Sequence, residues 1–301
     1  MLARAIESVL AQDFSGWELI ISDDESPAGA AREIAEAYAR RDPRIAVSAN
    51  PGPKGQSGNM NAALSLARGR WIKPLHDDDV LEPSCLSRML NAAGRGPNAA
   101  IVSCLARKVE NGKCRTPQAR GRRASVEELD TSSAYLAMYL ADLDIGVPTQ
   151  VLVRASAVRA AGPFPSHPAI TTGVDVLWYI DLLRHGSIVM LNETLVRHHQ
   201  DGHDTITSRT SESEFYRECA MLREVLLPAI DADEAPSLAE VRQMIRLIRA
   251  MWCTYRGRPF RGAALASTCW RPVSWYLAVR WLLRRSFPGV FEAVPRRVLA
   301  P

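Results

Sequence analysis

A short apolar run that ends in three consecutive carboxylates constrains this chain more than any other stretch. In Gly69-Arg70-Trp71-Ile72-Lys73-Pro74-Leu75-His76-Asp77-Asp78-Asp79-Val80-Leu81-Glu82-Pro83, the residues Trp71, Ile72 and Leu75 read as a strand and Pro83 as the first turn of a helix. The acidic cluster then falls on the loop at a strand's carboxyl end, where open α/β sheets bind ligands. Adjacent carboxylates repel, so a cation or a basic partner is expected beside them. Hard oxygen ligands of this kind suit Mg²⁺ or Mn²⁺, with further ligands from water and phosphate. The competing reading is a solvated acidic turn that caps the following helix.

The pattern around that loop alternates. Leu2, Ala5, Ile6, Val9 and Leu10 recur at helical spacing, and Trp17 to Ser22 reads as a buried strand that runs into a second acidic cluster, Asp23-Asp24-Glu25. A helix from about Ala28 to Arg41, a strand at Ile45 to Val47 and a helix from Asn59 to Arg68 follow. Between the last two lies Asn50-Pro51-Gly52-Pro53-Lys54-Gly55-Gln56-Ser57-Gly58, a Gly/Pro loop whose amides and Lys54 suit a phosphate; a solvated loop cation is the alternative for Lys54. Beyond Pro83 the pattern gives a helix to Ala93, a strand at Ala99 to Leu105 and an exposed basic loop or hairpin at Arg107 to Arg123. A helix around Tyr135 to Leu140, a strand at Thr149 to Val153, a helix opening at Gly173, and two short strands at Ser187 to Leu191 and Leu195 to His198 complete it. Strand and helix in alternation predict an α/β sandwich on a mainly parallel sheet.

Charge divides the chain. The net charge is +4 over 301 residues, yet from Pro236 onward there are twelve Arg, no Lys, and only Glu240 and Glu292 as acids. The earlier part is therefore net acidic, and the two parts face different partners. Six Cys without a CxxC pair read as reduced thiols in a cytosolic protein. No run of about 18 uncharged apolar residues is present to span a membrane.

Five pieces carry a family resemblance: Ala5-Ile6-Glu7-Ser8-Val9-Leu10-Ala11-Gln12, Trp17 through Ser26, Asp42-Pro43-Arg44-Ile45, Asn61-Ala62-Ala63-Leu64 with Ala67-Arg68-Gly69, and the Asp77-Asp78-Asp79 loop. In order and spacing the chain resembles the family 2 glycosyltransferases of the GT-A fold, over roughly Leu2 to Thr207. The resemblance implies an inverting transfer of a sugar from a nucleotide-sugar, a UDP-sugar, to an acceptor hydroxyl. It implies nucleotide contacts at Asp23, Asp24 and Ser26, with Lys54, Asn61 and Asp77 in the same donor site. The family's Asp-x-Asp metal motif aligns with His76-Asp77-Asp78, so His76 replaces its first acid or the motif shifts to Asp77 and Asp79. Asp78 is the expected ligand, with Asp79 in support, for Mg²⁺ or Mn²⁺ acting as Lewis acid on the departing diphosphate. Asp175 is the expected general base, against the alternative of a first-turn helix acid favoured by the macrodipole. Arg197-x-His199 resembles a late Arg-x-His that approaches the diphosphate; a zinc site at His198, His199, Asp201 and His203 lacks the usual ligand spacing.

The family opens with an apolar strand that lies mid-sheet, and in this sequence Met1 falls directly in the helix after it. A sheet without that strand leaves backbone groups unpaired, so the 301-residue chain alone is expected to fold poorly and to show little activity. The expected organisation is a GT-A-like domain over 1–208 and a basic helical region over 209–301. In that region Arg242, Arg246 and Arg249 oppose Val241, Ile245 and Ile248, while Trp270, Trp275, Tyr276, Trp281 and Phe287 accompany further Arg residues. Aromatic and Arg side chains at helical spacing suit a helix lying on an anionic membrane surface; packing on the catalytic domain is the alternative, and no motif supports nucleic acid. The expected acceptor is a glycan or lipid-linked glycan of the cell surface, met in the cytoplasm at the inner face of the membrane. A catalytically degenerate scaffold is the non-enzyme rival. A haloacid-type phosphatase using Asp77-x-Asp79 is the enzyme rival, but it leaves Asp23 and Asp24 unexplained.

Overall fold

The computed structural model describes residues 1–24, 29–110, 113–115, 126–141, 143–199, 209–230, 236–255, 262–263, 266–267, 269, 271–286 and 297–298. The first part alternates as expected: α1 (Leu2–Leu10), β1 (Leu19–Asp23), α2 (Ala30–Ala39), β2 (Ile45–Ala49), α3 (Gln56–Leu66), β3 (Trp71–Ile72), β4 (Val80–Leu81) and α4 (Cys85–Arg95). Then follow β5 (Ala99–Glu110), β6 (Lys113–Arg115), β7 (Val126–Leu129), α5 (Thr131–Tyr139), β8 (Val151–Arg154), α6 (Ala155–Ala161), α7 (Val174–Leu183) and β9 (Ser187–His199). Three longer helices, α8 (Glu212–Leu226), α9 (Leu238–Tyr255) and α10 (Pro272–Ser286), and the two-residue β10 (Arg297–Val298) close the chain.

The expected α/β sandwich is present, but its sheet is mixed rather than mainly parallel. Among the described residues two strand pairings are parallel, β1 with β2 and β5 with β9; the other six are antiparallel. The strands that reverse the expectation are short. β3, β4, β6, β7, β8 and β10 have two to four residues each, and every pairing they make is antiparallel. The basic hairpin expected after β5 forms between Lys108 and Arg115, while residues 116–125 lie outside the described residues.

The main sheet runs β10-β7-β9-β5-β8-β3, with β4 beside β9 and β6 beside β5. The β1–β2 pair is a separate sheet, and among the described residues no strand pairs with the other edge of β1. Alternation along β9 puts Ile188 and Met190 into one core and Val189 and Leu191 into the other, so the sheet is covered on both faces. On one face α5 and α7 pack with Trp178, Tyr179 and Phe164 at the centre, the Phe164 and Trp178 rings 5.2 Å apart. On the other, Val9 of α1 and Met89 and Ala92 of α4 cover the sheet. Leu222 and Leu226 of α8 and Val241, Ile245 and Ile248 of α9 belong to the first core, so the basic region packs on the sheet domain. Among the described residues no helix is long and apolar enough to cross a membrane.

Candidate active site

Pairing of β4 with β9 builds the acidic loop into a site. Val80 lies opposite Arg197 and Leu81 opposite Val196, which carries the end of β9 alongside Asp79. Asp79 is fully buried. Its Oδ1 lies 2.9 Å from His198 Nδ1 and accepts the His199 amide at 3.2 Å. Burial pushes this carboxyl up, but the bonds from His198 and Thr149 outweigh it and hold it below the usual carboxylate range. Its Oδ2 is buried with no hydrogen-bond partner, 3.9 Å from His76 Nδ1. The loop is pinned from below by the His76 amide, which donates to Thr149 Oγ1 at 3.2 Å. Asp78 is forced the other way, its carboxyl raised by burial and by the neighbouring Asp79 charge.

One ligand atom from each of His76, Asp78 and Asp79 lies within 4.8 Å of the others. An orphaned buried oxygen on Asp79 and an Asp78 carboxyl pushed up by burial and by the neighbouring charge are what a divalent cation would relieve, so this donor set fits Mg²⁺ or Mn²⁺. His76, which stands where an acid was expected, is a third member of the set. Asp77 is exposed at the apex of the turn.

The second acidic cluster is held by the Gly/Pro loop. Asp24 Oδ1 accepts from Asn50 Nδ2 at 2.7 Å and Oδ2 from the Gly55 amide at 2.7 Å. These bonds, with the Lys54 charge, lower its carboxyl. Such a tight loop needs glycine: a Cβ at Gly58 would come within 1.7 Å of the Pro53 carbonyl oxygen, and Gly55 sits at φ +98°. Asp23, Asp24, His76, Asp77 and Asp78 all line one cavity of about 1330 Å³. That exceeds the roughly 300–1,000 Å³ of ordinary ligand pockets. Its lining includes Leu19 to Asp24, along and just past β1, and Gly69 to Asp78 around β3, so the cavity runs between the two sheets.

Other expected site residues are placed elsewhere. Lys54 and Asn61 line a separate cavity of about 490 Å³ between the Gly/Pro loop and the segment from Phe164 to Val174. Asn61 uses both ends of its amide on Phe164, donating to its carbonyl at 2.9 Å and accepting its amide at 2.7 Å. Arg197 grips Glu82 through two nitrogens, at 2.9 and 3.2 Å. His199 joins the acidic loop, and its Nδ1 is buried without a partner. Ser26 lies outside the described residues, as do Asp201 and His203.

Asp175 is the second residue of α7, and its Oδ1 accepts the Val176 amide at 2.9 Å. Desolvation raises its carboxyl to about 7, with a further push from Asp144. One turn on, the Tyr179 hydroxyl donates to Gly146 at 3.1 Å, and the same segment supplies Thr149 under the acidic loop. Residues 146–149 thus link the helix of Asp175 to the carboxylate cluster. Sequence reasoning missed Thr149 beside the acidic loop and weighed His198 only in the zinc alternative, not as a partner of Asp79. A two-residue strand paired across more than a hundred positions leaves no local signal.

The model of the glycosyl transferase family 2 matches residues 1–160. This chain belongs to that family. The chain is 34% identical over 112 residues to the GalNAc(5)-diNAcBac-PP-undecaprenol β-1,3-glucosyltransferase of Campylobacter jejuni, covering 37% of this chain and 36% of that protein. It is 37% identical over 79 residues to the UDP-Glc:α-D-GlcNAc-diphosphoundecaprenol β-1,3-glucosyltransferase of Escherichia coli, covering 26% of this chain and 30% of that one. The matched part is thus about a third of the length of these curated relatives. In fold, the chain is similar to S. aureus TarS 1–349 solved with UDP-GlcNAc, with a TM-score of 0.62 at 17% identity over 98% of this chain and 78% of that one.

Proposed function

We propose that this family 2 glycosyltransferase is a metal-dependent, inverting enzyme that moves a sugar from a UDP-sugar to a hydroxyl of a lipid-linked glycan. The observation that carries the reading is one cavity shared by the Asp23–Asp24 cluster and the His76, Asp77 and Asp78 loop. Asp24, fixed by Asn50 and Gly55, presents a charged carboxylate to the nucleoside, and Asp23 stands next to it. Asp78 and Asp79 with His76 would hold the metal, which when bound supplies Lewis-acid neutralisation of the leaving diphosphate. His199 meets the same loop through its backbone amide, which donates to Asp79. Arg197, engaged with Glu82, holds β9 to the loop from outside.

Asp175 takes the proton from the acceptor hydroxyl. A base works best with its pKa near the operating pH, and desolvation brings this carboxyl to about 7. Direct attack by the freed oxygen on the face opposite the diphosphate inverts the anomeric carbon.

A UDP-sugar and a lipid-linked acceptor are supported by the relatives, two of which are named for undecaprenol-linked substrates and one for UDP-glucose. The basic region supports a place on an anionic membrane surface, with the sheet domain over 1–208 and the helices over 209–301 working as one unit.

The test is a panel of nucleotide-sugars offered with undecaprenyl-diphosphate-linked acceptors, read by UDP release and by NMR of the product's anomeric proton. Transfer with inverted configuration is expected. Retained configuration, or no transfer from any donor by folded protein, contradicts the reading.

A further inference from the structure

Glu218 lies on α8, beyond the residues matched to the family, and it is buried. Four donors converge on its carboxylate. Thr171 Oγ1 donates to Oε1 at 2.8 Å, and Oε2 receives the Thr172 amide at 2.8 Å, the Thr172 hydroxyl at 2.5 Å and the Gly173 amide at 3.2 Å. Burial works against the charge, but the bonds from Thr172 and Thr171 outweigh it and hold the carboxyl below its usual range.

Gly173 is the N-cap of α7 and has no side chain to satisfy the helix's first amides. Glu218, from another helix, takes the N-cap amide of Gly173 and the Thr172 amide before it. One turn along α8, Leu222 presses on the same residue: a Cβ at Gly173 would meet Leu222 Cδ1 at 2.7 Å. A carboxylate and a leucine from α8 therefore fix the segment that enters α7, and Asp175 is in the first turn after it.

We propose that Glu218 is a positioning residue for the transfer reaction: it holds the first turn of α7 so that Asp175 meets the acceptor hydroxyl. The proposal rests on Asp175 being the base. A cap made by the helix's own side chain would serve folding equally well. A cap from α8 makes the aim of Asp175 depend on a helix of the basic region, and it anchors the Phe164 to Val174 wall of the second cavity as well.

The test compares Asp175→Asn, Glu218→Ala and Glu218→Gln in the full chain. Transfer is measured with whichever donor and acceptor give UDP release, UDP affinity is measured with Mn²⁺, and amide exchange is followed across residues 171–177. Glu218→Ala is expected to lower kcat for transfer roughly 10- to 100-fold, the loss that goes with about 1 Å of misplacement, while UDP affinity stays unchanged. Exchange at Thr172 and Gly173 should rise. Glu218→Gln is expected to restore part of the rate, because its oxygen can keep the Thr172 and Gly173 amides and its NH₂ can donate to a reversed Thr171 hydroxyl. Loss of transfer in Asp175→Asn with full transfer in Glu218→Ala overturns the positioning role and leaves the base reading intact. Full transfer in Asp175→Asn overturns both. Equal loss of UDP affinity and melting temperature in both Glu218 variants shows a purely structural carboxylate and also overturns the proposal.

Discussion

Asp175 is the residue whose chemistry is most exposed to test. Its carboxyl is raised to about 7, so the rate of transfer should climb tenfold per pH unit up to about pH 7 and then level off. Asp175→Asn should lose roughly 10²- to 10⁴-fold in kcat and the acid limb with it. The same shift fixes the sign for stability. The folded state keeps this proton above the ordinary aspartate value of 3.8, so wild type loses stability as pH rises from there to about 7 and is flat beyond. The Asn variant lacks that loss, and its melting temperature should overtake wild type across that interval. Two acidic clusters stand out in the sequence because apolar runs lead into them: Asp23 and Asp24 stand at and just past the end of β1, while Asp78 and Asp79 lie in the loop between Ile72, the end of β3, and Val80, the start of β4. His198 does not, since its place beside Asp79 depends on a distant strand pairing. Asn61 was misplaced for a related reason, its amide being committed to the backbone of Phe164.

Among elements, the β1–β2 pair stands apart. All five residues of β1 keep partial exposure, whereas Ile101, Val102 and Cys104 of β5 are fully buried between β8 and β9. Few buried contacts and one unpaired edge lower the cost of local opening. Amides of Leu19 to Asp23 should exchange faster than those of Ala99 to Cys104 by hydrogen-exchange mass spectrometry, and equal protection would contradict this. The helices α1, α3, α4 and α7 were legible within two or three residues, α1 and α4 because each carries a clear apolar face. Not so α6 and β7: seven residues of mixed Ala, Ser, Val and Arg, and the sequence Val-Glu-Glu-Leu, carry too little pattern. β9 was read as two strands broken at Asn192 and Glu193, but a register shift against β5 absorbs that interruption within a single strand.

For the whole molecule, the last helix supports both readings of the basic region. Trp281 packs against the core and Leu277 and Ala278 are buried in it, yet Val273, Trp275, Tyr276, Val279 and Leu282 of the same helix are exposed. An apolar aromatic face in a region with twelve Arg and two acids suits an anionic bilayer. Sedimentation with phosphatidylglycerol vesicles should bring the protein down, phosphatidylcholine vesicles should not, and Trp275→Ser with Tyr276→Ser should weaken binding roughly tenfold or more, given about 1.5–3 kcal/mol per buried large side chain. Sedimentation indifferent to lipid charge or to both substitutions would contradict the membrane reading. The catalytic account stands or falls on the carboxylate cluster. The most direct measurement is UDP release from the preferred donor and acceptor with Mn²⁺ or with EDTA, for wild type and Asp78→Ala. Release that needs both the metal and Asp78 is the predicted result. Release that survives EDTA, or an Asp78→Ala enzyme as fast as wild type, would contradict a metal-dependent transfer at this site.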